Sequence, residues 1–512
     1  MNTLVWFRQD LRTLDNQALT LACEDAKARG AKLYGVFIAS PAQWQTHDMG
    51  QRQQRFLLAN LNALGERLAA LGIPLELMVV PWFNGTAAAL KGFCKARGIS
   101  RIFAGAQVEI DERRRDASLI EKGFPLHLTD EHCILPPGSV VTQGQRAGQG
   151  GAMYRVFTPF ARRWREIAAA RPLWPIPSPA AVAPALSFEP FPFWGDSVAN
   201  SPGAASKSPG AAVSESDTAC ANPSEDGALA LWPAGEDAAL EKLRGFQQRS
   251  LARYAERRDF PAIDGTSSLS PYLALGVISP RQCLASLLEA FPEVFVSESS
   301  PARTWLNELV WREFYRHLLV AFPSLSMAKN FNPLADAIVW RNDEREFEAW
   351  KAGRTGYPLV DAAMRQLQQT GWMHNRLRMV VASFLTKHLL IDWRWGERYF
   401  REQLIDGCLA ANNGGWQWAA GTGCDAQPYF RIFNPMSQSE KFDPDGRFIR
   451  KYLPEIAHWP TKALHQASGT GQVANGLFDN GLSKNDSYPS PIVEHSRARL
   501  RALEVMTVMK KG

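Results

Sequence analysis

Short apolar runs alternate with amphipathic stretches over the first 130 residues of the chain. Leucines at 57, 61, 64 and 68 fall on one face of a helix predicted over 51–71. Each apolar run is followed by such a stretch, which is typical of a parallel sheet covered by helices. The runs that we predict as strands are 4–7, 33–39, 75–80 and 101–105. This part contains no Gly-x-Gly-x-x-Gly and no Walker loop, so the usual dinucleotide or triphosphate cradle is absent.

The apolar pattern weakens between residues 131 and 235. The stretch 172–235 is rich in Pro, Ala, Ser and Gly and has few bulky apolar residues. We therefore interpret 131–235 as an interdomain linker that carries a flexible insertion at 195–230. A second insertion is predicted at 466–487.

From residue 236 onward the apolar positions recur with helical spacing. This pattern predicts an all-α domain over 236–512, which the linker joins to a parallel-sheet α/β domain over 1–130. The expected fold class is therefore α/β plus all-α. The helices that we predict in the second domain are 237–257, 280–291, 301–321, 344–351, 358–370, 372–390 and 395–405.

Composition and charge narrow the class of protein only slightly. The chain has 512 residues, 46% of them hydrophobic, and a net charge of +6, which permits a polyanionic partner without requiring one. Its seven cysteines form no Cys-x-x-Cys pair, so we expect neither a disulfide framework nor a metal site, and a reducing cytoplasm fits best. The chain enters a strand directly and has no run of about 18 apolar residues, so neither a signal peptide nor a membrane segment is expected.

The segment 371–379 combines an aromatic ring, two cations and a thioether on a predicted helix. At about 100° per residue, Trp372, Arg376 and Met379 share one face, and Asn375 and Arg378 occupy the adjacent face. The first group can meet a planar partner, while the second can hold phosphates or the edge of a heterocycle. A core helix with one buried Asn-Arg pair is the alternative.

Glycines and tryptophans are close together in the segment 406–418. We interpret the Asn-Asn-Gly-Gly run at 412–415 as a tight turn or helix terminus whose glycines let the backbone approach a ligand. Trp416 and Trp418 follow at once. Tryptophan occurs both in sites that bind planar ligands and in ordinary helical cores. The role of each tryptophan therefore has to be inferred from its position.

Together with the segment 429–435, these two segments closely resemble the flavin- and lesion-binding core of the DNA photolyase and cryptochrome family. Within it they are most similar to the bacterial class I cyclobutane pyrimidine dimer photolyases, and the likeness runs from residue 4 to about 453. The resemblance implies an FAD-binding helical domain. It also implies light-dependent electron transfer from excited, reduced FAD to a pyrimidine dimer flipped out of DNA, a carbon–carbon lyase reaction without net redox change.

The resemblance implies FAD contacts at particular residues. Asn412 matches the residue that faces flavin N5, Asp406 is expected to pair with Arg378, and Cys408 stands where close relatives have Asp. Hydroxyls and amides in 265–270 could seat the pyrophosphate, although a Ser/Thr helix cap is the alternative. The full expected set is Tyr254, Thr266, Ser267, Leu269, Ser270, Trp305, Arg312, Asn375, Arg378, Asp406, Cys408 and Asn412.

The implied dimer site includes the predicted helix that carries Glu308 and Trp311. Glu308 could accept hydrogen bonds from pyrimidine edges, and Trp311 could supply a stacking wall. A core helix in which Glu308 pairs with a nearby Arg is the alternative. Met379 stands where relatives that act on (6-4) photoproducts have His, which favours the cyclobutane dimer. The expected DNA-contacting set is Glu308, Trp311, Arg376, Met379 and Trp418.

Three tryptophans match a chain that, in this family, carries an electron from the protein surface to the flavin. They are Trp416, Trp393 and Trp340. Spacing alone does not show such a chain, because each of these residues is individually more often part of a core. Together with Glu308 and Asn412, they are the residues expected to serve the reaction.

A light-harvesting antenna is implied at the rim between the domains. His47, Asp111 and Glu112 match positions that bind 5,10-methenyltetrahydrofolate in folate-type photolyases. The acid pair could accept hydrogen bonds from a pterin. Relatives also present a Lys there, where this chain has Met327. The alternatives are a deazaflavin, no antenna, or simply an ion-paired surface.

The expected partner is DNA that contains pyrimidine dimers, without a membrane or an obligate protein partner. We expect a monomer in the cytoplasm that is associated with the nucleoid when bound to DNA. A cryptochrome-like photoreceptor is the main alternative, although only a short tail follows the helical domain. A flavoprotein oxidoreductase is a second alternative, and the missing dinucleotide motif argues against it.

Overall fold

A computed structural model describes residues 1–142, 151–194, 225–467 and 488–510. Its first part holds a parallel five-stranded sheet in the order β3-β2-β1-β4-β5. The strands are β1 Asn2–Phe7, β2 Leu33–Ala39, β3 Leu75–Val79, β4 Ile99–Gly105 and β5 Leu126–Thr129. The predicted α/β pattern is confirmed. β5 was not predicted, because its short Leu-His-Leu-Thr run lies at the sheet edge and buries neither leucine fully.

The central strand β1 is apolar on both faces. Residues 4–7 are at most 2% exposed, because helices cover both sides of the sheet. His47 follows α2, and Asp111 and Glu112 open α5, so the carboxyl edge of the sheet brings these side chains together. The helices of this part are α1 Gln17–Arg29, α2 Pro41–Thr46, α3 Gln51–Ala70, α4 Thr86–Arg97 and α5 Ile110–Glu121.

The predicted linker packs more closely than its composition indicated. Val182 N donates to Leu71 O at 2.9 Å, and Trp194 Nε1 donates to Gln54 Oε1 at 3.0 Å, so this segment runs along α3. A helix at Glu225–Leu229 shows that the flexible insertion predicted at 195–230 extended too far. The rest of that insertion, 195–224, lies outside the described residues, as does 468–487 of the second predicted insertion. The domain limits themselves stay predictions.

Helices dominate the rest of the described chain, as predicted. They are α6 Phe157–Ala169, α7 Glu225–Leu229, α8 Glu236–Arg249, α9 Tyr254–Arg257, α10 Ser270–Leu275, α11 Pro280–Ala290, α12 Arg303–Ala321, α13 Glu344–Lys351, α14 Pro358–Thr370, α15 Asn375–Ser383, α16 Trp393–Gln403, α17 Leu409–Ala420, α18 Pro435–Phe442, α19 Arg447–Tyr452, α20 Thr461–Leu464 and α21 His495–Val505. Short 3-10 helices lie at Phe83–Gly85, Leu251–Arg253, Pro292–Phe295, Pro323–Met327, Pro333–Ala337, Pro454–Ile456 and Met506–Met509. None of the helices described is long and apolar enough to cross a bilayer, and the described residues include no cluster of three or more metal-binding side chains.

The helix predicted over 372–390 differs from the observed one at both ends. α15 begins at Asn375, because the His374 side chain accepts a hydrogen bond from Arg376 N at 3.2 Å and caps it. After Ser383 the chain continues as a π-helix, Phe384–His388. Trp372 therefore precedes the helix, and the predicted face that joins Trp372 to Arg376 and Met379 is wrong.

The tight turn or helix terminus predicted at 412–415 is also wrong, because these residues lie inside α17. An added Cβ at Gly414 would lie 2.2 Å from Tyr315 Cδ1 on α12. Glycine is thus required there by the close contact of two helices, and the alanines on either side of the Asn-Asn-Gly-Gly run support helix formation.

Candidate functional site

A cavity of about 410 Å³ opens between α12, α15, α16 and α17, and we call it the helical cavity. Its volume is typical of small-molecule sites. Polar and aromatic side chains share its wall, so it offers both hydrogen bonds and stacking surfaces. The expected cofactor, DNA and electron-transfer residues that line it are Glu308, Trp311, Arg312, Asn375, Arg376, Arg378, Met379, Asp406, Cys408, Asn412, Trp416 and Trp418.

α17 presents to this cavity the backbone of Gly415, which has no side chain, and the side-chain amide of Asn412. An added Cβ at Gly415 would meet nothing within 4 Å, so a planar ligand can approach the helix closely there. Asn412 Nδ2 donates to the backbone oxygen of Glu397 at 2.9 Å, which fixes the side-chain amide from α16. Burial raises the pKa of the neighbouring Glu397 carboxyl to about 7.

α15 supplies cations and apolar surface to the same cavity. Asn375, Arg378 and Met379 all line it, although the sequence placed them on two faces. Arg378 Nη2 donates to Asp406 Oδ2 at 2.7 Å, as predicted. Asp406 Oδ1 is buried and has no partner among the described residues, so it remains an acceptor for a ligand N–H.

Glu308, on α12, has features of both interpretations: it lines the cavity and it pairs with an arginine. Its carboxylate lines the cavity and also forms an ion pair with Arg258 at 2.6 Å. Burial raises the pKa of Glu308, and the Arg258 charge opposes that rise. Trp311 stacks on Phe157 with ring centroids 3.6 Å apart, so its indole is held rigidly.

Several expected cofactor residues do not line the helical cavity. Trp305 is buried against Phe246, with ring centroids 5.1 Å apart, and Tyr254 packs on the same ring at 5.8 Å. The segment 265–270 leads into the short helix α10, but the N-cap residue is Leu269 and no side chain caps the helix, so the alternative of a Ser/Thr cap is wrong. Ser270 Oγ accepts from Trp372 Nε1 at 3.2 Å. A phosphate-binding role for Thr266, Ser267, Leu269 and Ser270 stays a prediction.

Two of the three expected electron-transfer tryptophans are buried and the third is partly exposed. Trp416 lines the cavity, Trp393 is fully buried and donates to Asn330 Oδ1 at 2.9 Å, and Trp340 is half-buried. The ring contacts of Trp416 are with Phe400 at 5.1 Å and with Trp350 at 6.1 Å.

A second cavity, of about 330 Å³, lies between the sheet domain and the helices, and we call it the interdomain cavity. His47, Asp111 and Glu112 meet there, with His47 Nε2 3.2 Å from Asp111 Oδ2. Burial and the nearby Glu109 charge raise the pKa of Glu112 to about 7, and its Oε2 has no partner among the described residues. Met327, Arg394, Arg398 and Arg401 line the opposite side.

The sequence did not indicate three further residues that shape these sites. Arg258 pairs with Glu308, Glu397 holds Asn412, and the buried Arg316 donates to Cys408 Sγ at 3.3 Å. Each lies four residues beyond an expected residue, namely Tyr254, Trp393 and Arg312. Helical spacing places such residues on one face and could have indicated them.

Comparison with known proteins assigns both parts of the chain to one family. Residues 3–181 match the family described as DNA photolyase, and residues 305–508 match the FAD binding domain of DNA photolyase. A deoxyribodipyrimidine photo-lyase of Salmonella typhimurium is 47% identical over 99% of both chains, and that of Escherichia coli is 44% identical with the same coverage.

Solved structures agree with this assignment. A class III photolyase from Agrobacterium tumefaciens has a TM-score of 0.81 and 35% identity, covering 100% of this chain and 98% of its own. A Synechocystis cryptochrome has a TM-score of 0.80 and 27% identity, covering 98% and 99%. The chain therefore belongs to the DNA photolyase family.

Proposed function

We propose that this chain is a light-dependent lyase that splits cyclobutane pyrimidine dimers in DNA and uses FAD as its cofactor. The observation that carries this proposal is the helical cavity, which combines a charged hydrogen-bonding wall with a wall of indoles and a thioether. Relatives that are 42–47% identical over nearly their full length are named for the same activity.

The polar wall fits a flavin. Asp406 Oδ1 is a buried acceptor without a partner among the described residues, and the Arg378 guanidinium that pairs with Oδ2 fixes its direction. Gly415 leaves room for an isoalloxazine ring, and Asn412 is oriented by Glu397. Bound and reduced FAD supplies, after light absorption, the electron that opens the cyclobutane ring.

The aromatic wall fits a flipped pyrimidine dimer. Trp311, held by Phe157, and Trp418 offer stacking surfaces, and Glu308 offers a carboxyl group to pyrimidine edges. Flipping costs a few kcal/mol, and stacking of about 1–3 kcal/mol per base offsets it. Met379 supplies no acid at the position where a proton donor would be needed for (6-4) photoproducts, so the cyclobutane dimer is the fitting substrate.

Repair of a defined oligonucleotide tests this function. Reduced protein is mixed with DNA that carries one dimer, and loss of the dimer is followed in light and in darkness. Trp311→Ala should weaken DNA binding by about tenfold, while Trp174→Ala, which changes an indole that is 66% exposed, is the matched control. Absence of light-dependent repair would contradict the proposal.

We further propose that Trp416, Trp393 and Trp340 carry electrons between the surface and FAD. The support for this path is that Trp416 lines the helical cavity, whereas Trp340 is partly exposed to solvent. The Trp393 indole N–H is satisfied by Asn330, which leaves the buried ring without an unpaired polar group.

A folate antenna is proposed for the interdomain cavity. Glu112 Oε2 is an unpartnered acceptor among the described residues, and Asp111 already pairs with His47. Reconstitution with 5,10-methenyltetrahydrofolate should add a violet absorption band, which Glu112→Ala should remove.

We also propose that the protein is a monomer, that it needs no obligate protein partner and that it lies in the cytoplasm close to the nucleoid. The described cysteines are all free, which agrees with a reducing compartment. The net charge of +6 suits a protein that binds DNA. Sedimentation of the purified protein with and without DNA measures the oligomeric state, and a stable dimer would contradict this part.

A further inference from the structure

Cys408 lies at the boundary between the two cavities. It is the N-cap residue of α17, and it lines both the helical and the interdomain cavity. Among the described cysteines, Cys94 is the other one that is partly exposed. A small oxidant that enters either cavity can therefore reach the sulfur of Cys408.

Arg316 faces this sulfur from α12. The residue is 3% exposed, and its Nη2 donates a hydrogen bond to Cys408 Sγ at 3.3 Å. Its Nη1 is also buried, and no described residue accepts a hydrogen bond from it. A thiol is a weak acceptor, and no carboxylate of the described residues forms an ion pair with this buried guanidinium.

We propose that Cys408 is a modification site for hydrogen peroxide and that Arg316 stabilises the oxidised product. In the first step the thiol and one peroxide give a sulfenic acid and water, because the O–O bond breaks as an S–O bond forms. A second peroxide gives a sulfinic acid and another water, and the sulfinic acid loses its proton. Each step oxidises sulfur by two electrons and reduces one peroxide. The resulting sulfinate supplies two oxygens for the Nη1 and Nη2 donors of Arg316.

The other described cysteines are poor targets for the same reaction. Burial raises the pKa of the Cys94 thiol to about 11, raises those of Cys23, Cys283 and Cys424 to about 12, and also raises that of Cys133, which disfavours their reactive thiolate forms. Cys94 shares partial exposure with Cys408, but no described guanidinium donates to it. It is therefore the internal control for selectivity.

The modification would place a negative charge in the wall that both cavities share. This consequence rests on the proposed binding of FAD in the helical cavity, whereas the modification itself does not. A charge there opposes the negative charge of reduced FAD, so we expect photoreduction to slow by about fivefold after oxidation.

Peptide mass spectrometry of the FAD-containing protein tests the modification. The protein is incubated with hydrogen peroxide in the dark and digested, and dimedone traps the sulfenic acid. Oxygen should add to Cys408 at least about tenfold faster than to Cys94. Arg316→Gln should reduce that selectivity to about threefold or less, while Arg316→Lys, which keeps the charge, should retain most of it.

Equal oxidation of Cys408 and Cys94 would overturn the proposal, as would unchanged selectivity in Arg316→Gln. If Arg316→Gln does not fold, the comparison of the two cysteines in the unaltered protein decides the matter. Flavin photoreduction is measured on the same samples. In the Cys408→Ser variant, peroxide should no longer slow photoreduction. Oxidation of Cys408 without any change in photoreduction would support the modification site and would contradict the placement of FAD beside it.

Discussion

Two neighbouring glycines of α17 allow a paired test of the helical cavity. An added Cβ at Gly414 would lie 2.2 Å from Cδ1 and 2.3 Å from Cε1 of Tyr315. An added Cβ at Gly415 would meet nothing within 4 Å, although Gly415 lines the cavity. The same substitution to Ala, one residue apart, should therefore change stability and FAD binding in different ways.

The expected magnitudes follow from these contacts. Overpacking costs about 1–3 kcal/mol, and the Tyr315 ring cannot move freely because it stacks on Trp311 with centroids 5.7 Å apart. Replacing a helical glycine by Ala stabilises by about 0.5–1 kcal/mol in either variant. This gain cancels in the comparison, so Gly414→Ala should be less stable than Gly415→Ala by about 1–3 kcal/mol.

Urea unfolding of the FAD-free proteins, followed by circular dichroism, measures the difference in the free energy of unfolding. FAD titration then separates the two effects. Gly415→Ala should lose at least about tenfold in FAD affinity, or about 1.4 kcal/mol, because its methyl group occupies the cavity. Equal unfolding free energies would refute the tight contact between helices, and unchanged FAD affinity in Gly415→Ala would refute the placement of FAD against α17.

Three further predictions test the walls of the two cavities and the path between FAD and the surface. Replacing Cys408 by Asp should lower the flavin midpoint potential, because one added charge at short range opposes reduced FAD by about 1 kcal/mol or more; an unchanged potential in a redox titration would show that this side chain is irrelevant. The pKa of Glu112 is raised to about 7, and only the ionised carboxylate is a pure acceptor. Folate should therefore bind up to about tenfold more tightly at about pH 8 than at about pH 6. An absorbance titration measures this pH dependence, which Glu112→Gln should flatten. Trp393→Phe should slow flavin photoreduction at least about tenfold relative to the control Trp395→Phe, because removing an indole breaks the chain; equal rates in a flash experiment would exclude Trp393.

Periodicity in the sequence was sufficient for most of the fold. The strands β1 to β4 and most long helices of the second half are where apolar spacing predicted them, because their burial follows the same spacing. The errors have different causes: α15 begins late because His374 caps it locally, and β5 is a short strand at the sheet edge. Gly414 is typical of a turn, yet it lies inside α17, where glycine is required because Tyr315 leaves no room for a side chain.

The candidate site could be predicted only in part. The resemblance identified Asp406 and Arg378, whose pairing the structure bears out. Arg258 and Glu308 are 50 positions apart, and Arg316 and Cys408 are 92 apart, so no local pattern links them. Helical spacing could have indicated Arg258 and Arg316 as site residues, but which residues they pair with depends on how the helices pack.

The first turn of α17 forms a wall common to both cavities, because Cys408 and Asn412 line each of them. Glu397 lines the interdomain cavity and holds the Asn412 amide through its backbone oxygen. Its carboxyl has a pKa raised by burial to about 7, so its charge can change near neutral pH while it touches this wall. A ligand or charge on one side therefore acts on groups that face the other side. Substitutions at these positions share partners, and their effects on flavin and antenna binding should be non-additive.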